Sequence, residues 1–129
     1  MADDSGTLVS SGSSLNMPTG SGSERLCRAS IHALNADEQE ILSGTAGHIY
    51  TIISIIVCNQ TATSGGAGIF LSDGTSDINI MRYAGNPVGG NQTFVWNDRF
   101  VIEENDDLDV YNEFTNGDWW VSYIDQNWV

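Results

Sequence analysis

HIYTIISIIVCN, residues 48–59, is the stretch that decides the fold. Ile, Val, Thr and Tyr dominate it, the β-branched and aromatic types that fit a pleated surface. Side chains alternate along a strand. One expected face therefore carries Ile49, Thr51, Ile53, Ile55 and Val57, and the other Tyr50, Ile52, Ser54, Ile56 and Cys58. Both faces are apolar. An antiparallel sheet usually turns one face to water, so a strand apolar on both sides needs cover on both. Either another layer of the same chain or a second subunit must lie over it, and at this chain length a second subunit is the expectation. Tyr50, Ile52 and Ile56 are thus the expected oligomer-interface residues of this strand.

The same period-two signal recurs outward from this strand in short runs. CRASIHAL (27–34) alternates Cys27, Ala29, Ile31 and Ala33 with Arg28, Ser30, His32 and Leu34. EQEIL reads either as a short edge strand or, with Asn35 as cap, as one helical turn. GIFLSDG ends on the turn pair Asp73-Gly74. DINIMRY (77–83) precedes AGNPVGGN (84–91), where Pro87 and the glycines exclude regular structure. QTFVWND and RFVIEE flank Asn97-Asp98, and LDVYNEF (108–114) and DWWVSYID (118–125) flank the hairpin signal Asn116-Gly117. About eight short strands at this turn spacing predict an all-β fold: a single antiparallel β-sandwich, jelly-roll-like or immunoglobulin-like.

Residues 1–25 read differently. Gly, Ser and Thr dominate, and the apolar residues are sparse: Leu8, Val9, Leu15 and Met17. Such a segment buries too little surface to offset its ordering entropy. It is expected to be a flexible or extended N-terminal arm before a sandwich domain over 26–129, with those four residues as anchors on a neighbouring subunit.

The chain of 129 residues carries 17 acidic residues against 4 basic ones, all arginine, for a net charge of −13. This charge repels phosphate backbones and anionic membranes, so neither nucleic acid nor a membrane is an expected partner. Cys27 and Cys58 have no CxxC spacing, and Cys58, at the end of an apolar run, reads as a buried thiol. The apolar run 49–58 is too short to span a bilayer. The opening MADDSG is acidic where a secretory signal is basic, so synthesis in the cytoplasm is expected.

No catalytic set stands out, and the chain is expected not to be an enzyme or to hold a cofactor. His32 falls on the polar face of its strand and His48 opens the next; neither accompanies a nucleophile motif. The acidic run EENDDLD places Asp106, Asp107 and Asp109 close together, oxygen ligands of the type Ca²⁺ takes, but without EF-hand order or a glycine. They are weak metal candidates, and a solvated negative turn is the simpler reading. The aromatics say more. Trp119 and Trp120 must point to opposite faces, one to the core and one outward. Exposed tryptophan is a common interface anchor, so Trp120 and Trp128 join the expected oligomer interface.

From Gly47 onward the layout resembles small virion proteins of tailed bacteriophages. The residues that carry the likeness are IYTIISIIVCNQT, the strand GIFLSD, the stretch QTFVWNDRFVIEENDDLDVY and the closing WWVSYID. The long Gly/Ser arm and EENDD, where such proteins tend to have a glycine, depart from that pattern. The resemblance implies a capsid decoration or cement protein on the outer surface of the virion, often a homotrimer. It would stabilise the head by binding between capsid subunits. Leu8, Val9, Leu15 and Met17 would then be the capsid-binding arm, with the major capsid protein as partner. The alternative it leaves is a receptor- or carbohydrate-binding module of a tail or fibre.

Overall fold

The computed structural model describes residues 22–33, 38–82 and 87–129. In chain order its strands are β1 (Ser23–Ala33), β2 (Glu38–Ser43), β3 (His48–Asn59), β4 (Gly65–Ser72), β5 (Asp77–Met81), β6 (Pro87–Val88), β7 (Thr93–Trp96), β8 (Phe100–Ile102), β9 (Asp107–Asn112) and β10 (Gly117–Asn127). Among the described residues there is no helix, and so none long and apolar enough to cross a membrane.

The pairing is nested. β1 pairs β10, β2 pairs β9, β3 pairs β7 and β8, and β4 pairs β5, every pair antiparallel. One sheet runs β1-β10-β3 with β7 and β8 end to end along β3; the other runs β2-β9-β4-β5, with β6 also on β4. Successive strands mostly cross from one sheet to the other. This is a long hairpin rolled into two packed layers, so of the two sandwich types expected the chain is a jelly roll.

Several expectations change with that topology. Asn116-Gly117 does not close a hairpin, because β9 and β10 lie in different sheets. Asn97-Asp98 likewise interrupts two segments that both pair β3. Of these three turn pairs, Asp73-Gly74 is the one that turns a hairpin, β4 to β5. There Gly74 takes φ +88°, and Asp73 accepts hydrogen bonds from the Thr75 and Ser76 amides at 2.9 and 2.8 Å. Glu38–Ser43 is a strand, which settles the helix-or-strand ambiguity. Pro87–Val88, expected to be loop, pairs briefly with Gly65–Gly66. β1 begins at Ser23, inside the segment assigned to the arm, because Glu24 and Arg25 are in register with Gln126 and Asp125.

The core fills the space between the inner faces. Ile52, Ile55, Val57, Trp119 and Val121 of the first sheet meet Ile69, Leu108 and Val110 of the second. Burying each such side chain contributes about 1.5–3 kcal/mol. Three polar side chains drawn in with them, Trp119, Asn112 and Asn59, are hydrogen-bonded. Trp119 Nε1 donates to Asn112 Oδ1 at 3.1 Å, and Asn59 Nδ2 donates to the carbonyls of Thr63 and Val88 at 2.9 and 3.0 Å.

Candidate functional site

β3 is central, and its outward residues decide what the first sheet presents. Strict alternation fails here. Between β10 and β3 the register runs Ser122 to Ser54 and then Tyr123 to Ile52, so Ile53 is one residue too many. Such a bulge shifts the phase of everything beyond it. Tyr50 and Ile52 point inward on one side of the bulge, Ile55, Val57 and Asn59 on the other. This corrects two expected interface residues: Tyr50 and Ile52 belong to the core of the sandwich. Ile56, on the far side of the bulge, does lie on the outer face.

Across that outer face the rungs are in register. Ser30, Trp120, Ile56 and Val95 stand side by side over β1, β10, β3 and β7. Further along, Leu26, Ile124, Thr51 and Val101 do the same over β1, β10, β3 and β8. Arg28, Ser122 and Ser54 lie between them. Trp120, Leu26, Val95 and Val101 are 38, 42, 46 and 48% exposed. A single exposed apolar residue is ordinary; four on one sheet face form a patch of the sort that marks interaction sites.

Trp120 is the ridge of this face. Trp119 beside it is 1% exposed, so the expected split of the tryptophan pair is what the strand displays. The Arg28 guanidinium lies 4.7 Å from the centre of the Trp120 ring, a cation–π contact that holds the indole in place. Shallow grooves of about 370 and 380 Å³ flank the ridge. Ile56, Cys58, His32 and Asp118 line the first, and Leu26, Arg28 and Ser54 the second. Cys58 is therefore partly exposed on the outer face, whereas Cys27 is buried on the inner one, and no disulfide joins them.

The other expected site residues scatter. Trp128 lies beyond the end of β10 and is 60% exposed, its amide donating to the Gly47 carbonyl at 2.8 Å. Gly47 has φ +76°, and a Cβ there would strike the side chain of Val129, so glycine lets the C-terminus seat. Leu8, Val9, Leu15 and Met17 lie outside the described residues.

The acidic candidates fall in two places. Asp106, in the turn before β9, accepts from the Glu103 amide at 2.9 Å. Asp107 and Asp109 stand on the outer face of the second sheet, Asp107 accepting from Ser43 Oγ at 2.7 Å. Glu40 is in register opposite Asp109, and Glu38 is one rung away. Burial, a hydrogen bond that the protonated Asp109 carboxyl donates to Glu38, and the neighbouring carboxylates push the Asp109 carboxyl up to about 6. Among the described residues no three His, Cys, Asp or Glu side chains are set to hold a metal ion.

The histidines have partners that spacing alone did not reveal. His32 Nδ1 contacts Asp118, which also takes a hydrogen bond from Gln60. His48 Nδ1 lies 2.7 Å from Asp125 Oδ1, and Arg25 Nη2 donates to Asp125 Oδ2 at 2.8 Å. Asp125 is buried, and its two partners, Arg25 and His48, lie on β1 and β3, the strands either side of β10. That geometry ties three strands together. The hydrogen bond to Asp125 holds Arg25 more firmly protonated, and burial raises the phenols of Tyr50 and Tyr123 nearby.

Compared with known proteins, the chain matches no family model, no curated protein and no solved structure.

Proposed function

We propose that the chain is a structural virion protein, a capsid decoration or cement protein that acts by adhesion. The observation that carries this reading is the outer face of the first sheet: an apolar surface spanning β1, β10, β3, β7 and β8, with Trp120 as anchor, on a chain of net charge −13. Apolar surface of this kind gains free energy when another protein covers it. The jelly roll is used by capsid domains and by lectins alike, so the fold supports the reading only as analogy. The four apolar residues at positions 8, 9, 15 and 17 remain the proposed contacts with the major capsid protein.

Labelling tests the reading. Antibody against this chain, applied to intact particles purified from the lysate in which it is made, should decorate the outer surface of the head. Label confined to the tail, or absent from particles, would sink it.

A second reading draws on the grooves beside Trp120. Their volumes fall in the range of small-ligand sites, and a sugar ring stacking on the indole would suit a receptor-binding module. Arg28 already covers part of that ring, which favours the protein contact. Glycan-array binding that disappears in Trp120→Ala would reverse this preference.

A further inference from the structure

We infer that the partner covering the outer face of the first sheet is a second copy of this chain, packed face to face about a two-fold axis. The inference rests on the reading of that face as adhesive and names what it adheres to.

Charge makes the first argument. At net −13, two copies repel over most of their surface. The second sheet turns Glu38, Glu40, Asp107 and Asp109 outward and cannot meet its own image without stacking carboxylates. On the first sheet, the strands forming the outer face carry Arg28 against Glu24 and Asp118. This is the surface on which two copies approach with least repulsion, and each Arg28 offers a positive group to the other's carboxylates.

Area makes the second. Four strand widths at about 4.8 Å, and 11 residues at about 3.3 Å, give a face of roughly 700 Å². A stable interface of standard size buries about 800 Å² per partner, so one copy of this sheet covers another almost completely.

Symmetry makes the third. A single sheet face that covers itself is an isologous contact, and it closes with two copies. A trimer, the form implied by the sequence resemblance, needs two different complementary patches on each subunit. Among the described residues, four of the exposed large apolar side chains share the outer face of the first sheet, whereas Ile78 on the edge strand β5 and Trp128 and Val129 after β10 lie apart from it.

Sedimentation equilibrium of the full chain tests the pairing, from low to high micromolar concentration and at low and high salt. The expected species has twice the 13.9 kDa chain mass and forms more tightly as salt screens the residual repulsion. Leu26→Glu and Val95→Glu, both at exposed positions, should each weaken pairing at least about tenfold while the circular dichroism spectrum stays that of the parent. Cys58 gives an independent readout in the unmodified protein. It lines a groove on this face, so its alkylation should slow as concentration rises, with Cys27 protected throughout. A monomer at every concentration, a species of three chain masses, or variants that pair like the parent would overturn the inference, as would alkylation of Cys58 at one rate throughout. Particle labelling separates the two proposals: a monomer found on the head defeats the pairing and leaves the decoration role standing, and a pair absent from particles does the reverse.

Discussion

The first sheet turns Leu26, Trp120, Val95 and Val101 outward, whereas the second turns out Glu38, Glu40, Asp107 and Asp109. Both sheets have the same jelly-roll origin and share one core. Their outer faces follow opposite rules. Where carboxylates line neighbouring strands, the face is kept in water by the cost of desolvating and stacking like charges. Where isoleucine, valine and tryptophan line them, the face gains by being covered. One molecule thus has a side that repels copies of itself and a side that invites contact, and the thickness of the sandwich separates them.

The largest test of this contrast is made inside the first sheet. Trp119→Ala, one residue from the exposed ridge, should cost about 3–5 kcal/mol, because it empties a buried site and leaves the Asn112 carbonyl oxygen without its donor. Urea denaturation measures this. Asp125 shows how differently a carboxylate behaves when it is inside. Asp125→Ala strips Arg25 and His48 of their shared acceptor and should cost about 3 kcal/mol by the same assay.

On the acidic face the sign reverses. Asp109 titrates near 6 in the folded chain, above its ordinary value of 3.8. The native state therefore holds its proton more tightly than the unfolded state, and stability is lost as pH rises from about 4 through 6. Solvent screening at this partly exposed position reduces the effect to about 1 kcal/mol. Asp109→Asn should stabilise the protein by about that amount above pH 7 and flatten the pH dependence of its melting midpoint between 4 and 6. A variant as pH-dependent as the parent would break the comparison.

The smallest expected change in stability is at the ridge itself. Trp120→Ala should alter the unfolding free energy by no more than about 0.5 kcal/mol, yet weaken self-association measured by sedimentation. If it unfolds the protein as Trp119→Ala does, the outer face is part of the fold and not a surface for contact.

How much of the candidate face could be read in advance depended on position. Leu26 follows from the alternation of Arg28, Ser30 and His32, carried back two residues. Val95 does not, since Phe94, Val95 and Trp96 are all apolar and allow either phase. Strict alternation puts Ile56 on one face with Tyr50 and Ile52, and of the three Ile56 is the one on the outer face. The cause is the extra residue at Ile53, which a period-two reading cannot detect because nothing in the local sequence marks it. The cluster around Asp109 was half visible: Asp107 and Asp109 are near neighbours in the chain, but Glu38 and Glu40 reach them only through the pairing of β2 with β9.

By itself the amino-acid sequence determined the all-β character, the central strand at 48–59 and the opposed tryptophans at 119 and 120. These depend on propensity and alternation, which act within a few residues. Only the tertiary structure decided the nested pairing, the phase change at Ile53, and which apolar residues face out. Those depend on the partner strand opposite each position, and that partner lies as far away as Ser23 from Asn127.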